Sequence, residues 1–432
     1  MTSATDLQQM NPPDPEQRRG SWVMGDPVDA PDAEPASNPL GLIMLVGLFA
    51  FLYFAAGPRY FLVVVGLVIM IFLHELGHFM TARWTGMKAT QFFLGMGPRI
   101  WSFKRGEVEY GVRAIPAGAF VRIIGMNNLD PVPPGDEPRA YKNQAYWKRM
   151  VVITAGSMMH FLQAIVLFTL LYSVVGVPRL PTGAWTVGEI SGLTTGEVPA
   201  VAAGIEPGDT IVSIDGVPIP TWDDLRPAVE DRAGEEVTIV VGKADGTTTT
   251  STVELVEYTD PDGTTRGFIG IGPTFDRVTY GPLAGAEQFG SMFVQTLGFI
   301  PDFLSPSTFG RLASAVFDSN SGTDPDTGEI EDRPISVVGA VRIAGNPGFD
   351  WSIPIEMLAL VNVSVGLINL VPLLPLDGGH AAIATYEKLR SRKGRRHEVD
   401  VAKLLPLTYA VVALLAFLMM STVWLDIVQP IG

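Results

Sequence analysis

The 432-residue sequence contains no cysteine. Disulfide bridges and thiolate metal sites are therefore excluded, so a transition metal must be held by histidine and carboxylate side chains. Histidine is scarce as well, with five residues in the whole chain. The net charge of −15 argues against nucleic acid as a partner, because surfaces that bind nucleic acid are rich in lysine and arginine.

Charged residues are also few, at 17% of the chain, whereas a soluble domain has roughly a quarter. The shortage is concentrated in long apolar runs, and a run of about 20 apolar residues is long enough to span a bilayer as a helix. Residues 39–82 are too long for one helix, and the turn at 57–59 divides them into spans near 39–56 and 60–82. Three further apolar segments, 150–176, 355–376 and 404–428, bring the predicted number of spans to five.

The distribution of positive charge predicts how these spans are oriented. Loop 83–149 carries eleven Lys and Arg against five Asp and Glu, and loop 386–403 carries seven Lys and Arg. By the positive-inside rule both loops are cytoplasmic. The acidic segment 177–352, with nine basic and twenty-six acidic residues, is then external. Residues 1–37, rich in Pro, Asp, Ala and Ser without apolar periodicity, are predicted to be a disordered cytoplasmic tail.

The stretch "VIMIFLHELGHFM", residues 68–80, places three ionisable groups inside an apolar run. A helix advances about 100° per residue, so His74 and His78 lie on one face, one turn apart, and can reach a single Zn²⁺. Glu75 points to the side, where it can take a proton from a water molecule. This H-E-x-x-H pattern is typical of zinc hydrolases, and ionisable groups within a membrane span indicate function.

A catalytic zinc site needs a third protein ligand, and the candidates in or near the spans are His160, Asp377 and His380. His74 is predicted to lie about 21 Å below the outer start of its helix. The span that begins near residue 355 ends at a similar depth, and its two prolines, Pro372 and Pro375, break the helix there. A broken helix is tolerated at this depth where it lines a cavity. Asp377, placed on this break, is therefore the favoured ligand.

Three motifs together resemble the site-2 proteases, which are intramembrane zinc metalloproteases, and in particular the bacterial branch with an external PDZ domain and its actinobacterial members. The motifs are "HELGH" at 74–78, "FFLGMGPRIWSFKRGEVEYGVRAIPAGAFVRIIGM" at 92–126 and "NLVPLLPLDGGH" at 369–380. The resemblance covers the chain from about residue 60 to its end.

The resemblance implies a role for each matching residue. His74, His78 and Asp377 would hold one Zn²⁺, Glu75 would be the general base, and Asn369 would hydrogen-bond the backbone of an unwound substrate. Segment 92–126 would form a β-hairpin that dips into the membrane and offers an edge to the substrate, with Gly118 at its Pro-Ala-Gly loop. The pattern of β-branched and aromatic residues around that loop agrees with a hairpin.

The sequence departs from the family at two places. The family usually has Ala-Gly-Pro and then Asn in its second core span, whereas this chain has "AGSMMH", with His160. His160 is interpreted as a packing hydrogen-bonder that replaces the Asn, with an extra proton donor as the alternative. His160 and His380 are both candidates for contacts around the metal ligands. The span 39–56 is an addition that precedes the family's first helix.

The predicted fold is an α-helical polytopic membrane protein with a membrane-dipping β-hairpin and an external α+β PDZ domain. Its predicted parts follow the extra span in this order: an N-terminal half of the protease core at 60–176, the PDZ domain at 184–275, an external helical region with an acidic loop at 281–350, and a C-terminal half of the core at 355–428.

The PDZ prediction rests on the segment "VPAVAAGIEPGDTIVSIDGVPIPTWDDL", which reads as a short helix, a strand and a turn at Asp-Gly. "VTIVV" at 237–241 is the next strand, and "GFIGIGP" at 267–273, with Gly270 and Ile271, completes a groove that binds peptides by strand addition. A β-rich cap without a peptide ligand is the alternative. The apolar helical segment 281–317 is expected to lie on the membrane surface or on this domain.

The predicted function is that of an intramembrane zinc endopeptidase in the bacterial plasma membrane, which cleaves the transmembrane segments of single-span proteins in regulated intramembrane proteolysis. The resemblance implies anti-sigma factors among the substrates, after a prior external cut. The alternative is a non-catalytic membrane adaptor or receptor with a PDZ domain and a structural metal site, which would show a closed set of four ligands that includes His160 or His380.

Overall fold

The structure is a computed structural model that describes residues 38–126, 132–190, 198–259, 265–303, 305, 307, 336–346, 350–391 and 397–428. The predicted tail 1–37 and the acidic residues 318–334 lie outside the described residues.

Ten α-helices occur in the described residues, and their bounds in chain order are α1 Pro39–Phe51, α2 Pro58–Trp84, α3 Tyr146–Leu170, α4 Pro199–Ala202, α5 Trp222–Val229, α6 Leu283–Phe303, α7 Val337–Gly345, α8 Ser352–Asn369, α9 Asp377–Arg390 and α10 Leu405–Val428. Short π-helical turns extend α1 through Ala56 and α3 through Val175. In the described part of the chain, 3₁₀ turns occupy Pro134–Arg139, Tyr141–Asn143 and Val401–Leu404. The break between α1 and α2 lies at Gly57, whose φ of 98° suits glycine, and Pro58 opens α2 at a position that needs no N–H donor.

Four helical segments among the described residues are long and apolar enough to cross a membrane: Pro39–Ala56, Pro58–Trp84, Tyr146–Val175 and Val401–Val428. They fit a polytopic membrane protein. Helix α8 is apolar as well, but its apolar part, Ser352–Ile368, is shorter than these four segments. The fifth span and the assignment of each loop to one side of the membrane stay predictions.

Helix α3 is the centre of the helical core, because it packs against α2, α6, α8 and α9. Its buried Phe161, Ala164 and Phe168 contact Ala359 and Val363 of α8. The sequence placed segment 281–317 on the membrane surface or on the PDZ domain. The structure instead packs α6 against α3 and α8, so the apolar side of α6 adds to the helical core.

The hairpin consists of β1, Ala89–Arg105, and β2, Val108–Ile123, which pair antiparallel. Each strand bends back, so together they form a sheet of four segments. Residues 91–94 pair on one side with 109–112 and on the other with 119–122, and residues 99–105 add the outer segment. Segment 119–123 is therefore an edge of this sheet, and β2 lies against α2.

Ten further strands follow α3 among the described residues, and their bounds are β3 Val177–Arg179, β4 Val187–Ile190, β5 Thr210–Ile214, β6 Val217–Pro218, β7 Glu236–Gly242, β8 Thr248–Glu254, β9 Val256–Thr259, β10 Thr265–Phe268, β11 Ile271–Pro273 and β12 Asp276–Val278. Strands β6, β5, β7 and β8 form one sheet in that order, whereas β4 pairs with β11, β9 with β10, and β3 with β12. The tight turn between β5 and β6 has positive φ at Asp215 and Gly216, as a two-residue hairpin loop requires.

The β-rich unit of residues 184–275 has its own hydrophobic core, centred on Val187, Ile211 and Ile239. An ion pair lies at its margin: the Lys243 ammonium is 2.8 Å from a carboxylate oxygen of Asp209. Burial alone would raise the pKa of Asp209, but the hydrogen bonds from Lys243 and from the Glu206 N–H outweigh it and hold the pKa below its usual value. Asp209 is therefore a charged group that stabilises this unit at neutral pH.

Candidate metal centre and active site

Helix α2 carries the first part of the candidate site. The Nε2 atoms of His74 and His78 are 3.2 Å apart on one face of the helix. His78 is buried, and its Nδ1–H donates to the Val152 carbonyl of α3 at 2.7 Å. Because a carbonyl only accepts hydrogen bonds, the proton of neutral His78 is on Nδ1. The Nε2 atom of His78 then carries no proton, and its lone pair faces Nε2 of His74.

Asp377 reaches this pair from the other half of the chain. Helix α8 ends at Asn369, the chain turns through residues 370–376, and Asp377 begins α9. Its Oδ2 atom lies 3.5 Å from Nε2 of His74 and 3.3 Å from Nε2 of His78. The next residue, Gly378, packs against this turn so closely that a Cβ there would lie 2.3 Å from the carbonyl oxygen of Leu370. A glycine at 378 therefore lets Asp377 approach the histidines.

The geometry of these three residues fits zinc. Four ligands at the usual zinc distance of about 2.0–2.1 Å in a tetrahedron are about 3.3–3.4 Å apart, and the three measured separations run from 3.2 to 3.5 Å. Oδ2 of Asp377 is buried and has no hydrogen-bond partner among the described residues, as expected of an atom reserved for a metal. Two imidazoles and one carboxylate leave the fourth position of a tetrahedral site open.

Glycine at position 156 makes room for both imidazoles. A Cβ built on Gly156 of α3 would lie 2.4 Å from Cε1 of His74 and 2.4 Å from Nε2 of His78. Sequence reasoning missed Gly156 and the Val152 carbonyl. Gly156 could have been found, because it lies four residues before His160 and therefore on the same face of a helix. The Val152 carbonyl could not, because every residue has a backbone carbonyl.

Glu75 connects the candidate centre to the sheet. Its Oε2 accepts a hydrogen bond of 3.1 Å from the backbone N–H of Val121. Val121 lies on the edge segment of β2, so this N–H points away from the paired strand and toward α2. The carboxylate of Glu75 is thus held beside the metal ligands and beside the sheet edge at once.

His160 and His380 lie near the cluster but outside it. Among the described residues, the group whose ligand atoms all lie within 4.8 Å of one another is His74, His78 and Asp377. His160 is buried on α3, with its ring centroid 4.9 Å from that of His74. His380 is on α9, where it lines a small cavity with Arg149 and Glu387.

Of the remaining predicted site residues, Asn369 and Gly118 belong to the helices and the hairpin, whereas Gly270 and Ile271 belong to the β-rich unit. Asn369 ends α8, and its half-buried side chain makes no hydrogen bond within the described part of the chain. Gly118, with φ of 109°, precedes the edge segment 119–123. Gly270 and Ile271 belong to the β-rich unit, where Ile271 of β11 pairs with Ile190 of β4.

Comparisons with known proteins agree with this arrangement. The family model described as peptidase family M50 matches residues 62–415. The zinc metalloprotease Rip1 of Mycobacterium tuberculosis (strain H37Rv) is 36% identical over 405 residues, which cover 84% of this chain and 96% of the relative. The protein of the same name from Mycolicibacterium smegmatis is 36% identical over 409 residues, covering 85% of this chain and 96% of the relative.

Proposed function

The chain belongs to peptidase family M50 and is a zinc metalloprotease, and we propose that it is an intramembrane endopeptidase that cleaves the transmembrane segments of single-span membrane proteins. The prediction of a zinc metalloprotease is confirmed by the family and by the relatives' names, so the non-catalytic adaptor is rejected. The observation that carries the proposal is that Asp377 converges on His74 and His78, with Glu75 beside them. The two histidines and Glu75 belong to α2, which is long and apolar enough to span a bilayer.

In the proposed site, His74, His78 and Asp377 hold one Zn²⁺ per chain. Two neutral imidazoles and one carboxylate give the loaded site a net charge of +1, which is less costly in an apolar environment than the +2 of a site with three neutral histidines. Zinc bound there would supply Lewis-acid chemistry, polarising the scissile carbonyl and lowering the pKa of a water molecule.

Glu75 is the proposed general base. Its carboxylate takes a proton from the attacking water and then passes it to the nitrogen of the leaving amine. The hydrogen bond from the Val121 N–H to Oε2 fixes the side chain toward the sheet edge. A substrate bound at that edge would therefore lie next to the base that serves it.

The substrate is proposed to bind in an extended conformation. A transmembrane helix has its backbone groups hydrogen-bonded internally, so it must unwind before a peptide bond is accessible. Segment 119–123 offers a strand edge for pairing, with Gly118 at its start. Asn369, which has no side-chain partner in the described residues, is proposed to bind the substrate backbone.

The proposal also covers the arrangement of the chain in the membrane. We propose five spans with a cytoplasmic N-terminus, an external PDZ domain at 184–275, and localisation in the bacterial plasma membrane. Gly270 and Ile271 would lie in the peptide groove of that domain. The domain would act as a size gate, so that substrates already trimmed outside, with anti-sigma factors among them, reach the site.

Replacing Glu75 by Gln tests the mechanism. Glu75→Gln keeps the size and polarity of the side chain but removes the base, so zinc should stay near one per chain while cleavage of a co-reconstituted single-span substrate disappears. Glu356→Gln, which changes a half-buried carboxylate of the apolar helix α8, is the matched control and should cleave normally. Normal turnover by Glu75→Gln would overturn the proposed mechanism.

A further inference from the structure

The two histidines of the candidate centre are oriented by different means. The ring of His78 is fixed by the hydrogen bond from its Nδ1–H to the Val152 carbonyl. Nδ1 of His74 is buried beside the backbone of Gly156 and makes no hydrogen bond of good geometry among the described residues. Histidines that bind metal almost always donate their other ring N–H to a fixed acceptor, which sets the direction of the ring. A further contact is therefore expected to restrain the direction of the His74 ring.

That contact is with His160. The rings of His74 and His160 have centroids 4.9 Å apart and planes inclined by 42°. His160 is 1% exposed and lies one helical turn after Gly156 on the face of α3 that covers the metal ligands. Van der Waals contact with a buried ring restricts how far the ring of His74 can turn.

His160 is in turn held by Asn362 of α8, also 1% exposed. Nδ1 of His160 lies 3.0 Å from Oδ1 of Asn362, while Nδ2 of Asn362 donates to the Leu358 carbonyl at 2.8 Å. Because the amide nitrogen donates to a carbonyl, the oxygen of the amide is the acceptor, and Nδ1 of His160 carries the proton. The orientation of His160 is thus set by a continuous chain of hydrogen bonds that starts at the α8 backbone.

We propose that His160 is a positioning residue that, anchored by Asn362, holds the imidazole of His74 in the orientation that binds zinc. The ring contact adds to the restraint on His74, whose Nδ1 has no well-formed hydrogen bond among the described residues. It also links α8, whose end leads to Asp377, through α3 to α2. The inference rests on the proposed function, in which His74 is a zinc ligand.

The proposal differs from both roles that the sequence suggested for His160. A packing hydrogen-bonder could be replaced without effect on the metal, whereas a positioning residue acts on zinc affinity. Loss of such contacts typically weakens metal binding about 10- to 100-fold. Since its nitrogen atoms are not part of the ligand cluster, His160 is expected to affect zinc release without being required for stoichiometric binding.

The test is the rate at which zinc passes from the full-length protein in detergent to an excess of chelator. His160→Ala and Asn362→Leu should each release zinc about 10- to 100-fold faster than the wild type, with zinc still near one per chain before chelation. The double variant should release zinc no faster than His160→Ala, because both changes remove the same restraint. The visible spectrum of Co²⁺-substituted protein should change in the same variants, since it reports ligand geometry.

Phe161→Ala is the matched control, because Phe161 is the next residue of α3 and packs against Phe293 at a ring distance of 5.3 Å. The Phe161→Ala variant loses a buried ring but no contact with His74, so it should release zinc at the wild-type rate. Wild-type release by His160→Ala and Asn362→Leu, or equally fast release by Phe161→Ala, would overturn the positioning role. The variant His74→Ala distinguishes failure of the positioning role from failure of the proposed function. If His74→Ala retains zinc, the ligand set itself is overturned.

Discussion

Gly156→Ala should disable the metal centre although it changes no ligand. A Cβ at this position would lie 2.4 Å from Cε1 of His74 and from Nε2 of His78, whereas ordinary contact begins at 3.4 Å. Both imidazoles would have to move away from α3 by about 1 Å. His78 resists this movement, because turning away breaks its hydrogen bond to Val152.

The size of the effect follows from the tolerance of a metal site. Zinc–ligand distances are kept within about 0.2 Å, so a displacement of about 1 Å is several times too large. We expect zinc affinity to fall by at least about 100-fold, together with an overpacking cost of about 1–3 kcal/mol to the fold. Cleavage of a reconstituted substrate should be lost with the zinc.

The assay measures zinc per chain by elemental analysis of purified full-length protein equilibrated with chelator-buffered zinc. Circular dichroism and size-exclusion chromatography check that the variant is folded. Gly47→Ala is the control, since a Cβ at Gly47 of α1 meets nothing within 4 Å. If folded Gly156→Ala binds zinc as tightly as Gly47→Ala, the reasoning that Gly156 makes room for the two imidazoles is refuted.

Three further predictions concern other parts of the chain. Asp377→Ala should lower zinc occupancy and abolish cleavage, whereas His380→Ala, three residues along the same helix, should retain zinc; the opposite result in elemental analysis would contradict the choice of ligand. A cysteine placed at Ser251 of this cysteine-free chain should be labelled from outside intact cells and one at Ser391 should not, and the reverse pattern would overturn the topology. Because the pKa of Asp209 is lowered by folding, its contribution to stability is present above its unfolded-state pKa of about 3.9 and is lost as pH falls through its folded-state value. Hydrogen exchange of residues 205–243 in the full chain should therefore show a loss of protection on acidification that Asp209→Asn lacks, and an unchanged profile in that variant would refute the assignment.

The sequence alone was sufficient for features that depend on local spacing. The positions of His74, Glu75 and His78 on one turn of a helix follow from helical periodicity, and the long apolar runs predict the helices that the structure describes as able to span a membrane. The Asp-Gly turn of the β-rich unit was equally readable, because its positive φ values favour those residue types.

Features set by packing between distant segments needed the tertiary structure. The sequence offered His160, Asp377 and His380 as candidates for the third ligand and favoured Asp377. Only the fold brings Oδ2 of Asp377 within 3.5 Å of both imidazoles while leaving the other two histidines outside the cluster. The packing of α6 on α3 and α8 was not predicted, since its apolar face is compatible with a membrane surface as well as with a protein core.

The contacts that orient the site are the least readable from sequence. Glu75 is held by the N–H of Val121 and His78 by the carbonyl of Val152, and a backbone group is present at every position, so side-chain identity does not mark which one will be used. Periodicity fixes which side chains share a face of one helix. Periodicity does not fix which face of a second helix, or which sheet edge, meets those side chains. That depends on the packing of the whole folded chain.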